Sequence, residues 1–395
     1  MTSPVADKKK PPTPAAPTPP TFPFLDLKAQ FTEIRKEVMS AVTRVLESQQ
    51  FILGVEVEQF EEEIAAKLGA KHAIGCASGT DALMLALMAA EIGPGDEVIT
   101  TPFSFVATAG AIVQVGARPV FVDIEPDTFN LDPSKVEAAI TPSTSAIIPV
   151  HLFGLPADLD PILATAKSRN LLVIEDAAQA IGSRYNGRFA GTIGDFGCFS
   201  FFPSKNLGAA GDGGLITTAN SAMAERLQMI RVHGSKRKYF HDLQGINSRL
   251  DALQAAVLSV KLRHLDRWAE GRANHAQRYR RLFEEKGLTR FVTSPVKAPP
   301  AYHHIYNQFT IRAQRRDELK DFLAKSGIPS EIYYPLCLHL QKAFSEWAYG
   351  PGDFPVAEQA SREVLSLPIF PELTDHQQDA VVQGLEAFYQ PHKHK

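Results

Sequence analysis

The sequence predicts an α/β protein: a mainly parallel sheet covered by helices on both faces, followed by a smaller C-terminal α+β domain. Three observations point there. From Ile52 to Ile216, short apolar runs alternate with helical segments of about 10–15 residues, the pattern of strands joined by crossover helices. Two apolar runs end on chemically active side chains, Leu171-Leu172-Val173-Ile174 on Glu175-Asp176 and Phe199-Ser200-Phe201-Phe202 on Pro203-Ser204-Lys205. Past the middle of the chain a long helical stretch leads into a shorter mixture of strand and helix.

Taken in order, Glu56 to Leu68 is an amphipathic helix. Ala73-Ile74-Gly75-Cys76 is a short strand, and Thr80 to Ala90 is a helix that starts just after Ser78-Gly79. Glu97 to Thr100, Pro119 to Asp123, Ala146 to Val150 and Leu171 to Ile174 are further strands. Asp251 to about Arg281 is expected as one long helix. Asn307 to Ile311, Asp317 to Ser326 and Ile332 to Pro335 supply the smaller domain. The expected division is a large domain over residues 24–265 and a small one over residues 266–390, with no internal repeat.

The chain has 395 residues, 44% of them hydrophobic, enough for a large core. A net charge of −3 argues against nucleic-acid and anionic-membrane partners. No apolar run reaches the roughly 18 residues of a membrane-spanning helix. Residues 1–23 hold eight prolines and the run Lys8-Lys9-Lys10, with almost no large apolar side chain. Such a segment cannot bury enough surface to offset its ordering entropy, so a disordered tail is expected. No apolar stretch follows the lysines, which excludes a secretory signal. Cys76, Cys198 and Cys337 are far apart and show no metal spacing, as in reduced thiols of a cytoplasmic protein, and no metal site is expected. The histidines of the tail Pro391-His392-Lys393-His394-Lys395 are taken as frayed surface.

Lys205 and Asp176 carry the chemistry. A lysine and an aspartate, each at the end of a buried strand, are what pyridoxal phosphate requires. The lysine holds the aldehyde as a Schiff base, and the aspartate keeps the pyridine nitrogen protonated so that the ring acts as an electron sink. Ser78-Gly79-Thr80-Asp81 places small residues at a strand-to-helix turn. Backbone N–H groups there bind a phosphate, with the Thr80 hydroxyl added. Taken alone, that turn would more simply be a helix N-cap. No Gly-x-Gly-x-x-Gly follows the first strand, which argues against a dinucleotide-binding dehydrogenase.

Four motifs in this order resemble a known family. Glu175-Asp176-Ala177-Ala178-Gln179, Ser200-Phe201-Phe202-Pro203-Ser204-Lys205, Gly211-Asp212-Gly213-Gly214 and Asn247-Ser248-Arg249-Leu250-Asp251 are similar to those of the DegT/DnrJ/StrS nucleotide-sugar aminotransferases. The resemblance runs from about Pro23 to about Phe388 and is greatest to enzymes that aminate C3 of a UDP-linked 3-keto-hexuronic acid. It implies a fold-type I, aspartate aminotransferase-like three-layer sandwich. It also implies a homodimer with shared active sites and transamination of a UDP- or dTDP-linked keto-sugar, with L-glutamate as amino donor, for polysaccharide or deoxyaminosugar synthesis.

The same resemblance assigns roles to residues. Ser200 becomes a second phosphate ligand, and Asn247 reaches the partner's cofactor phosphate. Phe105 stacks on the pyridine ring, with Phe103 as the competing aromatic. Gln179 approaches the cofactor's phenolic oxygen. Arg249 has the planar fork that suits a carboxylate. The basic, aromatic loop at Lys236 suits a nucleotide diphosphate, or is simply a solvated charge run. Tyr333 stands where close uronate-type relatives have histidine, a departure that leaves room for a neutral keto-deoxyhexose. Two alternatives are a non-catalytic regulatory protein on the same fold and a sugar dehydratase. Relatives that dehydrate carry histidine in place of the lysine, so Lys205 favours transamination.

Overall fold

Seven strands form the central sheet of the computed structural model, which describes residues 22–390. Most of the expected Pro-rich tail, and the C-terminal residues 391–395, lie outside the described residues. The strands are β1 (His72–Cys76), β2 (Glu97–Thr100), β3 (Arg118–Phe121), β4 (Thr144–Ile147), β5 (Leu172–Asp176), β6 (Phe196–Ser200) and β7 (Gly214–Thr218). Their spatial order is β1-β7-β6-β5-β4-β2-β3. All run parallel except β7, which is antiparallel to both its neighbours.

Helices cover both faces, giving three layers. Side chains alternate across the strands as the pleat demands. On one face, Phe199 and Leu215 meet α1 (Leu27–Ser48), α2 (Val55–Leu68) and the helix Ala252–Leu262. Phe60 and Phe201 pack edge to face there, with ring centroids 5.5 Å apart. On the other face, Cys198 and Ile216 meet α3 (Gly79–Ala89), α4 (Val106–Gln114) and the helix Ser221–Ile230. α1, which the sequence reading did not place, starts where the Asp26 carboxylate accepts hydrogen bonds from the N–H groups of Lys28 and Ala29.

A second core, built on Tyr279, Phe283, Phe309, Leu365 and Leu385, joins the helices Leu265–Glu285, Arg316–Lys325 and Asp375–Tyr389 to the strands Val292–Thr293, Phe309–Ala313 and Val364–Leu367. One expectation changes. The long helix from Asp251 is two helices, Ala252–Leu262 and Leu265–Glu285, separated at Arg263 and His264. The first is buried in the core beside α1 and α2, and the second turns to serve the other core, with His264 stacked on Trp268 at 5.5 Å. Ile332 to Pro335, expected as part of the smaller domain, is irregular. Ile332, Tyr333 and Tyr334 pack into an aromatic cluster with Phe103 and Phe129.

In an open parallel sheet, groups at the carboxyl ends of the strands gather along one edge. Cys76, Thr100, Asp176 and Ser200 end their strands on that edge, and β7 begins there at Gly214.

Candidate active site

β5 delivers Asp176 to this edge, buried to 5% exposure. Its Oδ2 accepts a hydrogen bond from the Thr108 hydroxyl at 2.7 Å, and its Oδ1 accepts one from the Ala178 N–H at 3.2 Å. Burial pushes the carboxyl above its ordinary range, while these donors and the nearby Lys205 amine pull it back part of the way. The preceding Glu175 points the other way, where its oxygens accept from His151 Nε2 at 2.8 Å and from the N–H groups of Gly191, Ile193 and Gly194 at 2.7 Å each. Burial alone would raise the Glu175 carboxyl, but His151 and the glycine N–H groups hold it below its usual range. Glu175 therefore fastens the loop that leads into β6.

β6 ends at Ser200, and a turn closed by the Lys205 N–H on the Phe202 carbonyl brings up Lys205. The loop is tied down beyond it, where Lys261 Nζ donates to the Gly208 carbonyl at 2.6 Å. The Lys205 amine is half-buried and makes no hydrogen bond or ion pair among the described residues. Burial lowers its pKa to about 8, against a partial upward pull from Asp176. A neutral, nucleophilic amine is thus accessible near neutral pH.

Across the edge, α3 begins with Ser78 as its N-cap, its hydroxyl accepting from the Asp81 N–H at 3.1 Å. The turn is an N-cap at Ser78, and it leaves donors open for an anion. Ser78 satisfies Asp81, while the Gly79 and Thr80 N–H groups and the Thr80 hydroxyl have no partner among the described residues. The helix start lies against Ser200: a Cβ on Gly79 would sit 2.6 Å from Ser200 Cβ, and one on Gly214 would sit 2.2 Å from the Ser78 carbonyl oxygen. Both glycines are required for α3 to cross β7 and meet the end of β6.

The two candidate aromatics separate cleanly. Phe103 is fully buried, tilted against Phe129, whereas Phe105 is 56% exposed at the N-cap of α4. Gln179 is buried, not solvent-facing. Its Oε1 accepts from the Phe153 N–H at 2.7 Å and its Nε2 donates to the Tyr334 hydroxyl at 3.1 Å. Tyr334 also lies 6.3 Å from the Phe105 ring. Tyr333 points away, half-buried beside Phe24.

Asn247-Ser248-Arg249 passes close by. Ser248 is buried, donating to Asp81 and accepting from the Ala77 N–H, which fixes the segment beside the start of α3. Asn247 is exposed and Arg249 half-buried, and neither side chain has a partner among the described residues. Lys236 lies on an exposed hairpin and pairs with Glu225, with no bond to the site.

The donors present suit pyridoxal phosphate: free N–H groups and hydroxyls for the phosphate, an unpartnered amine for the aldehyde and a buried carboxylate for the ring nitrogen. Thr108 and Tyr334 were not singled out from the sequence. The spacing of Thr108 three residues after Phe105 in one helical turn was a usable signal for the first, and the adjacency to Tyr333 for the second.

A family model described as the DegT/DnrJ/EryC1/StrS aminotransferase family matches residues 32–386. A "pleiotropic regulatory protein" of Geobacillus stearothermophilus is 54% identical over 93% of this chain and 98% of its own length. The UDP-N-acetyl-3-dehydro-α-D-glucosamine 3-aminotransferase of Acidithiobacillus ferrooxidans is 49% identical over 90% of this chain and 95% of its own. The crystal structure of NtdA from Bacillus subtilis, with bound cofactor PMP, superposes with a TM-score of 0.86 at 34% identity, covering 92% of this chain and 84% of that one.

Proposed function

We propose that this chain, which belongs to the DegT/DnrJ/EryC1/StrS aminotransferase family, moves an amino group from L-glutamate to C3 of a UDP-linked 3-keto-hexose. It is a pyridoxal phosphate-dependent aminotransferase of nucleotide-linked keto-sugars. One juxtaposition carries the reading. An unpartnered lysine in the turn after β6 and a buried aspartate at the end of the neighbouring β5 lie beside a helix N-terminus with free N–H groups.

Bound there, pyridoxal phosphate supplies an aldehyde that takes the amino group and a ring that withdraws electrons from the carbon losing its proton. Lys205, once free, would be the group that takes and returns the proton there. Asp176 holds a proton on the ring nitrogen. Gly79, Thr80 and Ser200 would hold the phosphate, Phe105 would pack on the ring, and Gln179, fixed by Phe153 and Tyr334, would serve the phenolic oxygen. Arg249 is free to pair with the carboxylate of glutamate or of a uronate. Tyr333 and Lys236, expected at the sugar nucleotide, lie away from this constellation, and Tyr334 is the tyrosine beside Gln179 and Phe105. A purely regulatory role does not account for this constellation. Among the described residues no helix is long and apolar enough to cross a membrane.

The test uses purified holoprotein with L-glutamate and a panel of UDP- and dTDP-3-keto-sugars. L-Glutamate should bleach the visible cofactor band, and mass spectrometry should then find an amino-sugar nucleotide. A band that no amino donor bleaches sinks the reading.

Asn247 is proposed to act in the partner's site, because Ser248 faces inward and leaves its neighbours pointing out. Lys205→Ala and Asn247→Ala proteins, inactive or weak alone, place both lesions in one site of a mixed dimer and leave the other intact. Mixing should therefore restore a measurable part of the activity. No recovery after verified subunit exchange would assign Asn247 to its own chain.

A further inference from the structure

Two hydroxyls stand behind Asp176 that the reaction so far leaves unused. Ser104 is 4% exposed and Thr108 1% exposed. Their oxygens are 3.0 Å apart, and Thr108 Oγ1 is 2.7 Å from Asp176 Oδ2. The direction follows from chemistry. An ionised carboxylate only accepts, so Thr108 donates to Asp176, and the Thr108 oxygen then accepts from Ser104. Thr108 lies in the first turn of α4, three residues after Phe105, so one turn of helix carries both the aromatic at the site and the hydroxyl on the aspartate.

We propose that Thr108, backed by Ser104, is a positioning residue for amino transfer: it pins the Oδ2 edge of Asp176, keeping the carboxylate ionised and in one orientation toward the cofactor's ring nitrogen. The proposal rests on the pyridoxal phosphate reading above. Besides these hydroxyls, Asp176 is faced by Lys205 from the loop after β6, the Cys198 thiol from β6, the Tyr334 hydroxyl and His151, whose Nε2 is committed to Glu175. The Ala178 N–H on Oδ1, Lys205 and His151 also favour the charged carboxylate, so losing Thr108 removes the strongest of these donors and lets burial raise the carboxyl further.

Wild type, Thr108→Val, Thr108→Ser and Ser104→Ala are compared by pH titration of the visible band of the reconstituted holoprotein and by equilibrium dialysis of pyridoxal phosphate. Thr108→Val keeps the shape and loses the donor, so cofactor affinity should fall about tenfold or more. The acid-side transition of the band should move to higher pH, because a donor to the charged form is gone. Thr108→Ser should restore both, and Ser104→Ala should move the transition the same way by less. A Thr108→Val protein with wild-type affinity and titration overturns the proposal. So does a Thr108→Ser protein as impaired as the valine variant, which would make packing of the methyl group the whole role. Should Thr108→Val not fold, Ser104→Ala decides: an unshifted transition overturns the relay. Wild-type protein that binds no pyridoxal phosphate would overturn the functional reading itself.

Discussion

Lys205→Ala should abolish amino transfer and leave the fold at least as stable. Proton transfer by a positioned side chain contributes about 10²–10⁴-fold, and this variant also loses the amine that bonds the cofactor. The stability argument runs through burial. The amine is half-buried, makes no hydrogen bond or ion pair among the described residues, and has its pKa lowered from 10.5 to about 8. The folded chain then binds this proton less tightly than the unfolded chain. Cofactor-free wild type should gain stability as pH rises from about 8 toward 10.5 and lack that gain below about 8. Alanine removes the dependence, so at pH near 7 the thermal midpoint of the cofactor-free variant should equal or exceed that of wild type. Turnover above a few per cent of wild type would remove Lys205 from its role. A midpoint well below wild type would mean that the activity loss reports on the fold instead.

The main architecture was legible because its signals are local. Strand and helix periodicities from residue 52 to residue 216 are set by burial on two faces, and these foreshadowed the parallel sheet. Asp176 and Lys205 stood out because each interrupts an apolar run at a strand end. The break at Arg263 and His264 was not legible, since neither proline nor glycine marks it. The periodicity continues while the surface it matches changes from one core to the other. Thr108 was passed over for a different reason. Its partner is 68 residues away, and a threonine in an apolar helical turn has the pattern of core packing. Tyr333 and Tyr334 could not be told apart from the sequence. The chain path turns Tyr334 to Gln179 and Tyr333 to Phe24.

The same buried contacts set the outcome at Asp176. Asp176→Asn should retain pyridoxal phosphate and lose at least about a hundredfold in rate, the scale on which a single preorganised electrostatic group acts. The substitution is nearly isosteric, and the amide oxygen can still accept from Thr108, so the shape of the site survives. What disappears is the negative charge that holds a proton on the ring nitrogen. A neutral amide costs less to bury than a carboxylate whose pKa burial has raised, so the thermal midpoint should not fall. Lys205 supplies an independent readout. Its amine is held up in part by the Asp176 charge, so in the cofactor-free Asp176→Asn protein its titration should move below that of wild type. That shift can be followed by the pH dependence of the rate at which pyridoxal phosphate reacts with the apoprotein. A variant with near-normal turnover and an unmoved lysine titration would show that Asp176 neither serves the ring nitrogen nor faces Lys205.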